Sequence, residues 1–162
     1  MTDFPRLLEV LSRGGVKFII VGGFAGTLHG SSVPTRDLDI VYSRDSGNVR
    51  RLVEALAAHA PYLRGAPPGL PFLWDPATVE KGLNFTLTSK LGAIDLLGEI
   101  AGGGDYERLL PDTVLVQIFG VECLCLKLET LIKVKRAAGR TKDLLAVADL
   151  EALKEERDQS RD

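Results

Sequence analysis

The stretch that most constrains this chain is VGGFAGTLHGSSVPTRDLDIVY, residues 21–42. An apolar run, Val16-Lys17-Phe18-Ile19-Ile20-Val21, reads as a short buried strand that ends directly in Gly22-Gly23. Residues 24–30 then read as a short helix. Glycine at such a turn lets the backbone approach a ligand closely, and the start of a helix offers unpaired N–H groups to an anion such as phosphate. Taken alone, the pair also fits a plain tight turn. The next residues narrow the choice, because Asp37-Leu38-Asp39 leads into a second strand expected over 38–42. Strand side chains alternate, so Asp37 and Asp39 project from one face, about 6–7 Å apart, while Leu38 and Ile40 take the other. Two carboxylates so placed repel each other unless a cation sits between them. A solvated strand face is the alternative, although Val41 on the same alternation points to partial burial. Such an oxygen pair suits Mg²⁺, which takes one or two carboxylates and completes its shell with phosphate and water.

The rest of the chain supplies the frame. Phe4, Leu7, Leu8 and Leu11 follow helical spacing, with Asp3 as N-cap, Pro5 in the first turn and Gly14-Gly15 as the stop. Asp45 or Ser46 caps a helix bearing Val49, Leu52, Val53 and Leu56. Five of the eight prolines fall in residues 61–76, which predicts an irregular loop anchored by Phe72 and Trp74, with base stacking as the other use of those rings. Strands are expected over 83–88 and 93–97. A hairpin is expected over 114–126, turning at Gly120. Residues from Lys127 onward read as helical with a break near Gly139. The order predicts an α/β (α+β) fold, a mixed β-sheet with flanking helices and a short helical C-terminal part. We expect a core over 1–126, a helical segment of the same domain over 127–158, and a tail at 159–162, the charge-rich Glu155–Asp162 looking frayed.

Composition excludes several classes. The charges nearly balance, 20 Lys+Arg against 22 Asp+Glu, which argues against a strongly basic nucleic-acid binder. No apolar run reaches the roughly 18–20 residues of a membrane helix, and the N-terminus lacks signal-peptide character. A cytoplasmic protein without a membrane partner is the expectation. Cys123 and Cys125 face one side of a strand and are expected to be buried thiols, since no His lies near them in sequence to complete a zinc site. His29 is expected to pack or cap, and His59 to sit at a helix end.

Gly-Gly followed by Thr-Arg-Asp-Leu-Asp-Ile resembles the nucleotidyltransferase superfamily related to DNA polymerase beta. More narrowly, it is similar to small single-domain members and to the catalytic domains of abortive-infection toxins. The resemblance implies the nucleotidyltransferase fold, with the triphosphate on Gly22 and Gly23 and a two-metal Mg²⁺ site on Asp37 and Asp39. It also implies a third acid. Asp95, alone among apolar residues in Gly92-Ala93-Ile94-Asp95-Leu96-Leu97, needs a reason to be there. The family pattern makes it a metal ligand and the general base, while the residues alone also allow an acid on an edge strand. The Gly-Gly turn departs from the commoner Gly-Ser of that family, so Ser31, Ser32, Thr35 or backbone N–H groups must replace one hydroxyl. Arg36, at the loop edge, is a further phosphate contact.

Residues 127–142 carry Lys127, Lys133, Lys135, Arg136, Arg140 and Lys142 against Glu129 alone, six positive charges to one negative. Cations so grouped can stabilise a triphosphate, or simply form a solvated helix face. Lys-Arg-Ala-Ala-Gly-Arg-Thr-Lys-Asp-Leu looks like the C-terminal motif of toxin-type nucleotidyltransferases, which carries a nucleotide-facing role to Lys135, Arg140, Lys142 and Asp143. Lys133 and Lys135 cannot share a helix face, so at most one of them reaches the site. The expected activity is Mg²⁺-dependent transfer of a nucleoside monophosphate from a triphosphate such as ATP to an acceptor hydroxyl of a small molecule, tRNA or protein, with pyrophosphate release. The resemblance also implies a homo-oligomer or a cognate antitoxin as partner. A non-catalytic nucleotide-binding regulatory or antitoxin-like protein is the alternative. A metal phosphohydrolase ranks last, since no additional His accompanies the aspartates.

Overall fold

The structure, a computed structural model, describes residues 1–161. Helix α1 (Phe4–Arg13) starts where the Asp3 carboxylate accepts the Arg6 N–H, and it buries Leu7, Leu8 and Leu11 completely. Each such side chain contributes roughly 1.5–3 kcal/mol on leaving water. Strand β1 (Phe18–Val21) is buried along its whole length and runs into α2 (Gly22–Leu28) with no intervening loop. Strand β2 (Asp37–Tyr42) alternates half-buried Asp37 and Asp39 with buried Leu38 and Ile40 before it sinks fully into the core. Helix α3 (Ser46–Ala57) packs Val49, Leu52, Val53 and Leu56 inward and lies against α1.

The proline-rich region is more ordered than the sequence predicts. Tyr62 and Leu63 form a short edge strand, β3 (Tyr62–Leu63), ahead of Pro67 and Pro68. Helix α4 (Pro76–Lys81) closes the region, started by an Asp75 cap that accepts the Thr78 N–H at 2.8 Å and by Pro76 in the first turn. Asp-Pro is a legible helix start that the proline count conceals. Trp74 Nε1 donates to the Val53 carbonyl at 2.9 Å, and Phe72 and Trp74 both pack against the core.

Strands β4 (Phe85–Ser89) and β5 (Gly92–Leu97) form a hairpin. A small separate pair follows, β6 (Glu99–Ile100) with β7 (Gly104–Asp105), and then α5 (Tyr106–Leu109). Strands β8 (Thr113–Ile118) and β9 (Val121–Leu126) form the second hairpin. The main sheet has seven strands in the order β3-β4-β5-β2-β1-β9-β8. Pairs β2–β5 and β1–β9 are parallel and the others antiparallel, giving the mixed sheet expected.

Two helices complete the chain. Gly139, in the left-handed conformation at φ +68°, ends α6 (Leu128–Ala138) and lets the chain turn back into α7 (Thr141–Ser160). The two helices pack on each other, and α6 also packs on α2. Contrary to the frayed end expected from Glu155, α7 stays helical through Ser160. Arg157 reaches Glu129 on α6, and Lys154 pairs with Asp158 one turn on, which ties the charged end down. Among the described residues no helix is long and apolar enough to cross a membrane.

Candidate functional site

Strand register assembles the site. Val21 lies opposite Asp39 across β1–β2, Asp39 opposite Asp95 across β2–β5, and Asp95 opposite Thr86 across β5–β4. Directly paired residues share a face of a sheet. Asp95 is therefore on a central strand, beside Asp39, and not on an edge. One carboxylate oxygen each from Asp37, Asp39 and Asp95 lie within 4.8 Å of one another.

Three acids this close cannot ionise independently. Burial, with the charges of Asp95 and Asp37, pushes the Asp39 carboxyl up to about 7, while Lys135 works against the shift. Asp39 Oδ1 is buried and has no hydrogen-bond partner. An orphaned carboxylate oxygen inside an all-oxygen cluster fits a hard divalent cation such as Mg²⁺.

Both glycines are required by close approach. Gly22 has φ +68°, and a Cβ there would meet Asp39 Oδ2 at 2.1 Å. A Cβ on Gly23 would meet Thr35 Oγ1 at 2.8 Å. Thr35 itself donates a long hydrogen bond, 3.4 Å, to the Asp37 carbonyl. The helix that Gly22 opens is only seven residues long, so an anion held there would need charged side chains beside its terminus.

Those side chains line a cavity of about 370 Å³. Its walls include Gly22, Gly23, Thr35, Arg36, Asp37 and Asp39 on one side and Lys135, Arg140, Lys142 and Asp143 on the other. Lys135 is half-buried, whereas Lys133 is exposed and does not line it. Burial, aided by Arg140 and Lys142, lowers the Lys135 ammonium below the usual lysine range against the opposing pull of Asp143 and Asp39. Burial raises the Asp143 carboxyl, but the hydrogen bond and charge of Arg140, with Lys135 adding, outweigh it and hold the group below the ordinary carboxylate range. The Arg140 Nε–Asp143 Oδ2 distance is 2.6 Å. Arg36 and Lys142 are exposed at the rim. Apolar walls come from Val33, Val134, Ala138, Ala146 and Leu150. Ser31 donates to Asp149 on α7 at 2.6 Å, so that hydroxyl is engaged in bracing the cavity wall.

Other singled-out residues lie elsewhere. His29 Nε2 is 2.7 Å from the Leu126 carbonyl, a packing contact between α2 and β9. Cys123 and Cys125 are free and buried.

Sequence reasoning missed Arg64. Its Nη2 is 2.7 Å from Asp95 Oδ1 and also donates to the Leu87 carbonyl at 2.7 Å, and its Nη1 is 3.4 Å from Asp37 Oδ2. The Arg64 N–H donates to the Thr86 carbonyl, one step beyond the last β3–β4 pair. Arg64 therefore continues the row Thr86–Asp95–Asp39 across the sheet. Strands lie about 4.8 Å apart, so a long side chain on that row reaches Asp95 two strands away. A signal was present, because Arg64 is the sole Lys or Arg between residues 52 and 80.

No protein-family model matches the sequence, and no curated protein matches it. Solved structures do. The lincosamide antibiotic adenylyltransferase LnuA, solved with lincomycin bound, superposes with a TM-score of 0.60 at 13% identity, covering 94% of this chain and 98% of that one. An antigenic nucleotidyltransferase-like protein from Paracoccidioides brasiliensis gives 0.53 at 16% identity, over 92% of this chain and 72% of that one. By its similarity to these structures, the chain has the nucleotidyltransferase fold.

Proposed function

We propose that this protein is a Mg²⁺-dependent nucleotidyltransferase that moves a nucleoside monophosphate from a triphosphate to an acceptor hydroxyl. The observation that carries the reading is the register of Asp39 against Asp95, with Asp37 one side chain along the same face. Asp37, Asp39 and Asp95 would hold the metal, which when bound neutralises phosphate charge and polarises the phosphorus. The phosphates would lie along Gly22-Gly23, with Thr35 and Arg36 at the edge. Half-buried Lys135 on α6, with Arg140 and Lys142 at the start of α7, would face them, and Asp143 holds Arg140 in place. The apolar walls suit a nucleobase. Asp95 takes the acceptor proton as the acceptor oxygen bonds to the α-phosphorus, and the bond to pyrophosphate breaks in line. The acceptor is a small molecule, a tRNA or a protein. The LnuA likeness favours the small molecule, because that structure holds lincomycin. A homo-oligomer or a cognate antitoxin is the kind of partner the toxin-like resemblance favours, in a cytoplasmic setting.

The test is pyrophosphate release from each ribonucleoside triphosphate with Mg²⁺, with and without candidate acceptors. Asp37→Ala and Asp39→Ala should both abolish it, and full activity in both variants would overturn the assignment. One observation favours a second reading, non-catalytic nucleotide binding: Arg64 engages oxygens of two of the three acids. Nucleotide binding without turnover across all acceptors would support that reading.

A further inference from the structure

Arg64 stands in the middle of the carboxylate cluster, yet it serves the cluster only in part. Its guanidinium bridges Asp95 and Asp37 but leaves Asp39 Oδ1 buried without a partner. Its own Nε is likewise buried and unpartnered. In this arrangement its planar fork reaches two of the three acids. A compact divalent ion can accept oxygens from all three. The two cations therefore want the same oxygens, and their like charges oppose joint occupancy.

The surroundings give the arginine a way out. Its side chain is 29% exposed. Gly65, next in the chain, has φ +81° and open space where a Cβ would stand. Backbone pairing of Arg64 to Thr86 anchors the residue, so release of the acids needs only the side chain to move, at the cost of its 2.7 Å bond to the Leu87 carbonyl.

We propose that Arg64 is a positioning residue that acts as an internal counter-ion. It holds Asp37 and Asp95 together, and it leaves their oxygens when a divalent cation binds. The proposal rests on the metal-site reading given under Proposed function.

The test measures Mn²⁺ binding to the full chain by electron paramagnetic resonance of the free ion, without nucleotide. Removing a positive charge beside a cation site raises cation affinity, so Arg64→Gln should bind Mn²⁺ roughly tenfold or more tightly than wild type. Arg64→Lys, which keeps the charge, should stay within about threefold of wild type. A purely structural role for Arg64 predicts the opposite, weaker binding in Arg64→Gln because the acids spread apart. Equal or weaker binding in Arg64→Gln, with wild type binding normally, overturns the counter-ion role alone. No Mn²⁺ binding by either protein removes the metal-site reading, and this inference with it. Should Arg64→Gln fail to fold, the wild-type protein still decides the matter. The Arg64 Nε–H nuclear magnetic resonance signal should shift on saturation with diamagnetic Mg²⁺, and an unmoved signal in a protein that binds the ion overturns the proposal.

Discussion

Gly22 and Asp39 occupy each other's space: a Cβ on Gly22 would lie 2.1 Å from Asp39 Oδ2, at a backbone φ of +68°. The glycine that follows β1 is thus required by the acid on β2. Gly22→Ala adds both a clash and left-handed strain, and should destabilise the fold by about 1–3 kcal/mol. For a chain of this size that lowers the melting temperature by roughly 3–10 °C. Mn²⁺ affinity should fall in parallel, because Asp39 must move. Thermal melting with a metal titration checks both, and an unchanged Tm would contradict the close approach.

Asp143 should contribute stability that depends on pH. Its carboxyl is held below the ordinary value of 3.8, chiefly by Arg140 acting against burial. A depressed carboxylate stabilises the fold fully above its unfolded pKa, and that contribution disappears as pH falls through the folded one. Asp143→Asn should therefore cost about 1–2 kcal/mol at pH 7, with the deficit shrinking below pH 4. Urea denaturation of both proteins at pH 7 and pH 3.5 reads the difference directly.

Lys135 and Lys133 separate a site role from a general basic face. Lys135 is half-buried in the cavity wall, and Lys133 is exposed outside it. Lys135→Ala should weaken triphosphate binding by roughly tenfold, the scale of one charge-assisted contact, while Lys133→Ala leaves it within about twofold. Titration with a fluorescent triphosphate analogue measures both, and equal losses would mean that only overall charge matters.

The two thiols should be inert while the protein is folded. Burial, with Cys123 adding, pushes the Cys125 thiol up to about 12, and burial also raises Cys123. The thiolate is the reactive form, so at pH 8 a disulfide reagent should label neither thiol in the native state and both after denaturation. Rapid native labelling of either would contradict the packing of β9 against α1.

Some of this was legible early. Asp37 and Asp39 share a face because strand alternation is a property of consecutive residues, and β2 was readable from its own apolar pattern. The same holds for the Asp3 cap, the Gly139 break and the two hairpins. The start of α4 at Asp75-Pro76 was legible in principle, but neighbouring prolines outweighed it. The contact of Arg157 near the end of α7 with Glu129 joins it to another helix and belongs to no local window.

The sequence by itself determined the strand–glycine–helix turn, the paired aspartates and the basic character of the C-terminal helices, because each depends on neighbours along the chain. Tertiary structure alone decided that Asp95 stands opposite Asp39, that Lys135 rather than Lys133 faces the cavity, and that Arg64 enters the acid cluster. The physical reason is register. Alternation tells which residues share a face, but only the hydrogen-bonded pairing of β3, β4, β5 and β2 sets one row, and that row carries Arg64, Thr86, Asp95 and Asp39 side by side.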